Sequence, residues 1–382
     1  MDPARVALVG HSMGATEVTR YALAHPEVTA TVALSLPDSS FVPPDRPARL
    51  LLLAGGLEFA GFRAAAEDAA ELGGGSRSAV IVPGVEHISI LYAPRTHREV
   101  VTWLDDSFGG PLVAGPIPSP MRRLTAAGLL LLSLAVGLYP MARLVLGDCP
   151  PRWPRVVAPQ LGRVAAVASG AAIVAVLVAP FAPTLRLPLS LGGFVVGFTI
   201  VAGAAMLGYQ RWREVAYPAT ARPPRPELAG PEPARPELAR SGRLRLAVAA
   251  PVLIGYAAVT IAAPLQLGVT NAVPVGARWW LLPVVWAGFA VLAYAAERVA
   301  EGNSFGVLVV SAVAVTALTG AAVVGLTSGF LVLIGPLLAV LLLWQAIWSA
   351  VLHRFSAPRW LIALVGSLVV AWPIATALPV VG

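Results

Sequence analysis

The chain has 382 residues, 57% of them hydrophobic and 12% charged, with a mean hydropathy of +0.76; this is too apolar for a soluble protein of its length, so an integral membrane protein is expected. The net charge of +7 comes from arginine alone, lysine being absent. Because those arginines fall between apolar runs, they read as orientation signals and argue against nucleic-acid binding. A lone cysteine, Cys149, excludes an intrachain disulfide.

Apolar residues concentrate after about Arg123, which divides the chain into an α/β unit of ordinary soluble composition (1–108), a Gly/Pro-rich linker (109–123) and an all-α polytopic membrane unit (124–382). The first element is a strand: Val6, Ala7, Leu8 and Val9 are consecutive apolar residues, read as buried on both faces. Ala15, Val18, Tyr21 and Ala22 then recur at helical spacing. Between strand and helix stands Gly10-His11-Ser12-Met13-Gly14, a turn whose tightness is expected to need glycine at both Gly10 and Gly14. A second strand is predicted at 28–36 with an exit loop at 37–40, and a Pro-rich link (42–47) leads to the most strongly buried strand, 49–54. Its exit loop, 55–58, ends on Glu58. A helix at 61–72, a fourth strand at 79–82 with an exit loop reaching His87, and a last helix at 94–108 complete the unit. Strand and helix in this rhythm make a parallel sheet, whose functional groups gather at the carboxyl ends of the strands.

The Gly-x-Ser-x-Gly turn between strand and helix resembles the nucleophile elbow of the α/β-hydrolase superfamily, which includes serine esterases, lipases and dienelactone hydrolases. Ser12, Glu58 and His87 also follow the superfamily's order of nucleophile, acid and base in loops of the right kind. The resemblance implies Ser12 as nucleophile, His87 as general base, Glu58 as the carboxylate that orients the imidazole, and the Met13 backbone N–H as an oxyanion donor. Asp38, after the second strand, is the alternative acid, since some relatives place it there. His11 is structural in relatives; Glu86 reads as solvated, and His25 and His97 as surface helix residues. The link at 37–47 is too short for a lid, so a site open above the sheet is expected.

The superfamily has strands before the elbow and a second oxyanion donor in a loop there, whereas here the elbow strand comes first. An exposed apolar edge is expected at residues 6–9, and the sequence reads as an N-terminally truncated gene product whose start resembles the interior of a longer protein. The implied function is a membrane-tethered serine hydrolase cleaving an ester-like bond, an enzyme in its intact form. The alternative is an inactive remnant on a membrane protein with a structural or transport role. A small ester or lipid-like substrate and membrane lipid are the implied partners, with no cofactor, no metal and no nucleic acid; oligomeric state is not legible.

Scanning the rest for apolar runs of about twenty residues gives eight helices, near 124–142, 164–183, 189–209, 246–267, 279–296, 305–326, 329–352 and 360–381. Trp153, Trp212, Trp279, Trp280, Trp344, Trp348 and Trp360 fall near their ends, as interfacial anchors do. The polar insert 210–245, with Arg225-Pro226-Glu227-Leu228-Ala229 repeated at 235–239, reads as an extended disordered loop. Arg122, Arg123, Arg186 and Arg278 lie on the side of the N-terminal unit, and the larger arginine set, from Arg143 to Arg359, on the other. By the positive-inside rule the larger set is cytoplasmic, in a bacterial cytoplasmic membrane, and the N-terminal unit extracytoplasmic. The helix cores contain no ionisable residue on this reading: Glu297, Arg298 and Glu301 fall in a loop, Gln266, Asn271 and Gln345 near ends, and proton-coupled transport is disfavoured. Glycine and alanine pairs such as Gly192-Gly193 and Gly203-Ala204 read as close helix packing.

Overall fold

The structure is a computed structural model that describes residues 5–110, 116–148, 158–189, 191–217, 236–378 and 380. Cys149, Trp153, the repeat at 225–229 and half of the polar insert, 218–235, lie outside the described residues. The chain divides into two compact units, Met1–Thr125 and Ala126–Gly382.

The first unit is a parallel sheet of four strands, β1 (Ala7–His11), β2 (Ala30–Leu34), β3 (Leu50–Gly55) and β4 (Arg77–Val82), in that spatial order. Helices α1 (Met13–Ala24), α2 (Ala60–Leu72) and α3 (Pro94–Phe108) accompany it. Every residue of β3 is buried. Alternation explains how: Leu50, Leu52 and Ala54 pack with Ala15 of α1 and Ala66 and Ala69 of α2, whereas Leu51 and Leu53 pack with Val32, Val82, Ile90 and the α3 side. A strand covered on both faces needs the unbroken apolar run found here, and each buried leucine contributes about 1.5–3 kcal/mol.

β1 departs from its expected double burial. It lies at the edge of the sheet, its residues are partly exposed and Val9 is 50% exposed, because among the described residues only β2 pairs with it. The turn after it needs glycine at only one of the two expected positions. A Cβ on Gly10 would sit 2.2 Å from the Gly14 carbonyl oxygen, whereas one on Gly14 would meet open space. The link between β2 and β3 is held from within by Arg77. Its guanidinium, 6% exposed, donates to the carbonyl oxygens of Ala69 (2.9 Å), Pro43 (2.5 Å) and Arg46 (2.5 Å).

The second unit carries α4 (Pro120–Leu146, beginning in the first unit's segment), α5 (Ala158–Val178), α6 (Gly192–Ala216), α7 (Pro236–Gly268), α8 (Arg278–Ala300), α9 (Ser304–Val323), α10 (Phe330–Arg354) and α11 (Arg359–Ala377). All eight contain stretches long and apolar enough to cross a membrane, the number expected, and they are compatible with an integral membrane protein. Close packing through glycine holds for α6 against α8: a Cβ on Gly203 would meet Val291 at 2.8 Å, and one on Gly288 would meet Thr199 at 3.0 Å.

Four expectations for this unit are corrected. The extended insert is shorter than 210–245, since α6 continues to Ala216 and α7 starts at Pro236. Arg213 paired with Glu301 and Glu214 paired with Arg298 hold the added turns of α6, and proline is tolerated in a first helical turn. Trp348 is no interfacial anchor. It is 1% exposed and donates to the Ala135 carbonyl of α4 at 3.1 Å. Gln345 lies well inside α10 and is buried. Glu297 and Arg298 belong to α8, and Glu297 is 2% exposed; the helix extends past the apolar run because α10 supplies partners for the carboxylate.

Replacing Arg77 by alanine withdraws the common donor from four carbonyls, those of Pro43, Arg46 and Pro47 in the β2–β3 link and of Ala69 in α2. The expected loss is about 2–4 kcal/mol, read by hydrogen exchange as reduced protection of β3 and β4 in the full chain.

Candidate active site

Three loops at the carboxyl ends of β1, β3 and β4 meet. Ser12 follows β1 and precedes α1, with a backbone at φ 57° and ψ −121°, a conformation that costs a non-glycine residue about 1–3 kcal/mol. Its N–H donates to the Leu34 carbonyl at 2.8 Å, which ties the turn to the end of β2. The side chain is thereby presented beyond the strand end, where His87 Nε2 lies 3.0 Å from Ser12 Oγ. On the far side of the ring, His87 Nδ1 is 2.7 Å from Glu58 Oε1. The other carboxylate oxygen accepts from the Gly55 backbone N–H at 2.8 Å. His87 and Glu58 are 3% and 6% exposed.

The tautomer follows from this pairing: Nδ1 donates to the carboxylate, leaving Nε2 free to accept from the hydroxyl. Burial by itself would raise the Glu58 carboxyl, but hydrogen bonds, from His87 foremost and from the Gly55 amide, outweigh it and hold the group below the ordinary carboxylate value. The row can therefore move a proton from Ser12 to His87 while Glu58 stays charged. Met13 begins α1, and a first helical residue has no carbonyl four residues earlier to occupy its N–H.

Asp38 is not brought into the row. It is exposed, and its carboxylate accepts from the Ser40 N–H at 2.9 Å and Ser40 Oγ at 2.7 Å; those bonds close a local turn and hold its carboxyl below the usual value. His11 Nε2 lies 2.7 Å from the His87 carbonyl oxygen. Burial pushes the His11 imidazole down, which favours a neutral ring that fixes the His87 backbone. The His87 ring stands between those of His11 and Phe62, with centroids 4.7 and 4.8 Å away. Glu86 is not simply solvated. Its carboxylate accepts from the Ile88 N–H at 2.9 Å and the Ser89 N–H at 2.7 Å, closing the loop that carries His87. His97 is half-buried and meets the Leu91 carbonyl at 2.8 Å.

Phe62 and Arg63 were not legible as contributors to this site. Arg63 donates to the backbone carbonyls of Gly56 (3.2 Å) and Glu58, fixing the acid's loop from α2. Their one sequence signal is position, in the first turn after the Glu58 loop. Exposed apolar side chains adjoin each member of the row: Met13 next to Ser12, Leu57 and Phe59 on either side of Glu58, and Ile88 next to His87.

No family model, no curated protein and no solved structure matches the chain.

A carboxyl held below its ordinary value contributes stability that is present above the unfolded-state pKa and is lost as pH falls through the lower, folded one. The stability difference between the wild-type chain and Glu58→Gln is therefore expected to be full at neutral pH. It should shrink only below about pH 4, measured by denaturant unfolding of the first unit at a series of pH values.

Proposed function

We propose that the first unit is a serine hydrolase of the α/β-hydrolase type, acting on an ester-like bond. The observation that carries this reading is the hydrogen-bonded row from Ser12 through His87 to Glu58, assembled from three separate strand ends. In the proposed reaction His87 Nε2 takes the Ser12 proton as Oγ attacks the carbonyl carbon, and the Met13 N–H stabilises the resulting oxyanion. The imidazolium returns the proton to the leaving alcohol, giving an acyl-Ser12. Water, deprotonated by the same imidazole, then releases the acid. The exposed apolar side chains of Met13, Leu57, Phe59 and Ile88 favour a small apolar ester or a lipid as the substrate.

The apolar helices α4–α11 would hold this unit at a membrane. The uneven distribution of arginine favours an orientation, in a bacterial cytoplasmic membrane, with the loops of the larger arginine set inside and the loops of Arg122, Arg123, Arg186 and Arg278, with the Ser12 unit, outside. The partly exposed edge of β1 supports the second reading, an inactive remnant on a membrane protein with a structural or transport role.

A fluorophosphonate probe applied to the full chain separates the two. The expected result is a single adduct on Ser12, absent in Ser12→Ala and slowed by about a hundredfold or more in His87→Gln. Glu58→Gln should slow labelling, while Asp38→Asn should leave it unchanged. No adduct on a folded chain would favour the remnant.

A further inference from the structure

The second unit buries a carboxylate that the Ser12 reaction does not use. Glu297 lies in the last turn of α8 and is 2% exposed. Both of its oxygens are met from α10: Ser349 Oγ donates to Oε1 at 2.5 Å, and His353 Nε2 stands 2.5 Å from Oε2. The His353 side chain is 18% exposed, in the last turn of α10, whereas the carboxylate side chain is 2% exposed. Gln345, Ser349 and His353 are spaced four residues apart, which puts them on one face of α10. Gln345 is 6% exposed, and its Oε1 is buried without a donor. The side chain lies against α11, where a Cβ on Gly366 would meet Gln345 Cγ at 2.9 Å. From the helix end inward the face thus presents an imidazole, a carboxylate with a hydroxyl, and an unmet amide oxygen.

A hydrogen-bonded clasp between α8 and α10 would need no charge, because a glutamine could accept from Ser349 through its oxygen and donate through its NH2 to the Nε2 of a histidine protonated on Nδ1. A carboxylate in a membrane-length helix costs several kcal/mol more than a neutral acceptor, and such residues mark routes for ions or protons. The charged residues of the neighbouring elements are Arg122, Arg123 and Arg143 of α4, Arg163 of α5, Arg211, Arg213 and Glu214 of α6, Arg278 and Arg298 of α8 with Glu301 just past its end, Arg354 of α10 and Arg359 of α11; α9 carries none. Arg163 and Arg213 pair with Glu301, and Arg298 pairs with Glu214.

We propose that Glu297 and His353 form a proton-exchange site in the membrane unit, filled from the aqueous end of α10. In the empty state neutral His353 donates its Nε2–H to the Glu297 carboxylate, and the pair carries one negative charge. A proton from water binds His353 Nδ1, and the proton on Nε2 passes to Glu297 Oε2. The product is a neutral imidazole protonated on Nδ1 beside a carboxylic acid, so the pair gains one proton and becomes neutral. Ser349 and Gln345 extend this polar face toward the interior of the unit. This gives the membrane helices a proton-linked role that stands independently of the Ser12 reading.

Infrared difference spectroscopy of the full chain in lipid nanodiscs, titrated from about pH 9 to about pH 5, tests the proposal. A carboxylic-acid C=O band is expected to grow on acidification and to be absent in Glu297→Gln. Its midpoint should move by about one pH unit or more in His353→Gln and in Ser349→Ala. Ser349→Ala keeps the charge and is the variant that decides if Glu297→Gln does not fold. Absence of the band in the wild-type chain, its persistence in folded Glu297→Gln, or a midpoint that neither α10 variant moves would overturn the assignment.

Discussion

A carboxylate taken out of water costs several kcal/mol unless its oxygens are met by donors, and each unit of this chain is arranged around one that is. In the first unit Glu58 accepts from His87 and from the Gly55 backbone. In the second, Glu297 is met by Ser349 and His353. Both pairings join a carboxylate to a histidine on a different element, and both leave the second ring nitrogen available. At His87 that nitrogen faces Ser12. At His353 it belongs to a side chain that is partly exposed, in the last turn of α10.

The first pairing depends on β3. Because this strand is buried throughout, the loop at its carboxyl end starts from a fixed position. Gly55 and Glu58 then close on each other through one hydrogen bond. Arg63 fixes the same loop from α2, while Glu86 and His11 fix the loop that carries His87. The row's most strained residue, Ser12, is held by the Leu34 carbonyl and by the close approach of Gly10 to Gly14. Rigid strand ends with short loops supply the tolerance of a few tenths of an ångström that such chemistry requires.

Much of this was legible from residue order. A parallel sheet puts strand-end loops together, so Ser12, His87 and two candidate acids, Glu58 and Asp38, could be named from their order and the resemblance it carries before any distance was known. Eight membrane-length helices were legible because a run of apolar residues is a local signal. Other features depend on distant partners and left no local signal. Glu297 looked like a loop residue because the apolar run stops at Ala296, yet the helix continues where α10, more than fifty residues later, supplies two donors. Trp348 sits near an end in sequence but finds its acceptor on α4. Asp38 and Glu58 both follow strands; only the structure separates them, because Ser40 captures the first and His87 the second. The apolar run at 6–9 by itself reads as doubly buried, whereas the lack of strands ahead of the elbow gave the exposed edge that β1 shows.

The most direct test of the hydrolase reading is intact-mass analysis of the full chain during the first turnovers of an activated aryl ester. The account predicts a burst of about one equivalent of released phenol, matched by an acyl group on Ser12 that disappears as water completes the reaction. Release of phenol without an acyl-Ser12, or at a rate unchanged in Ser12→Ala, would contradict it.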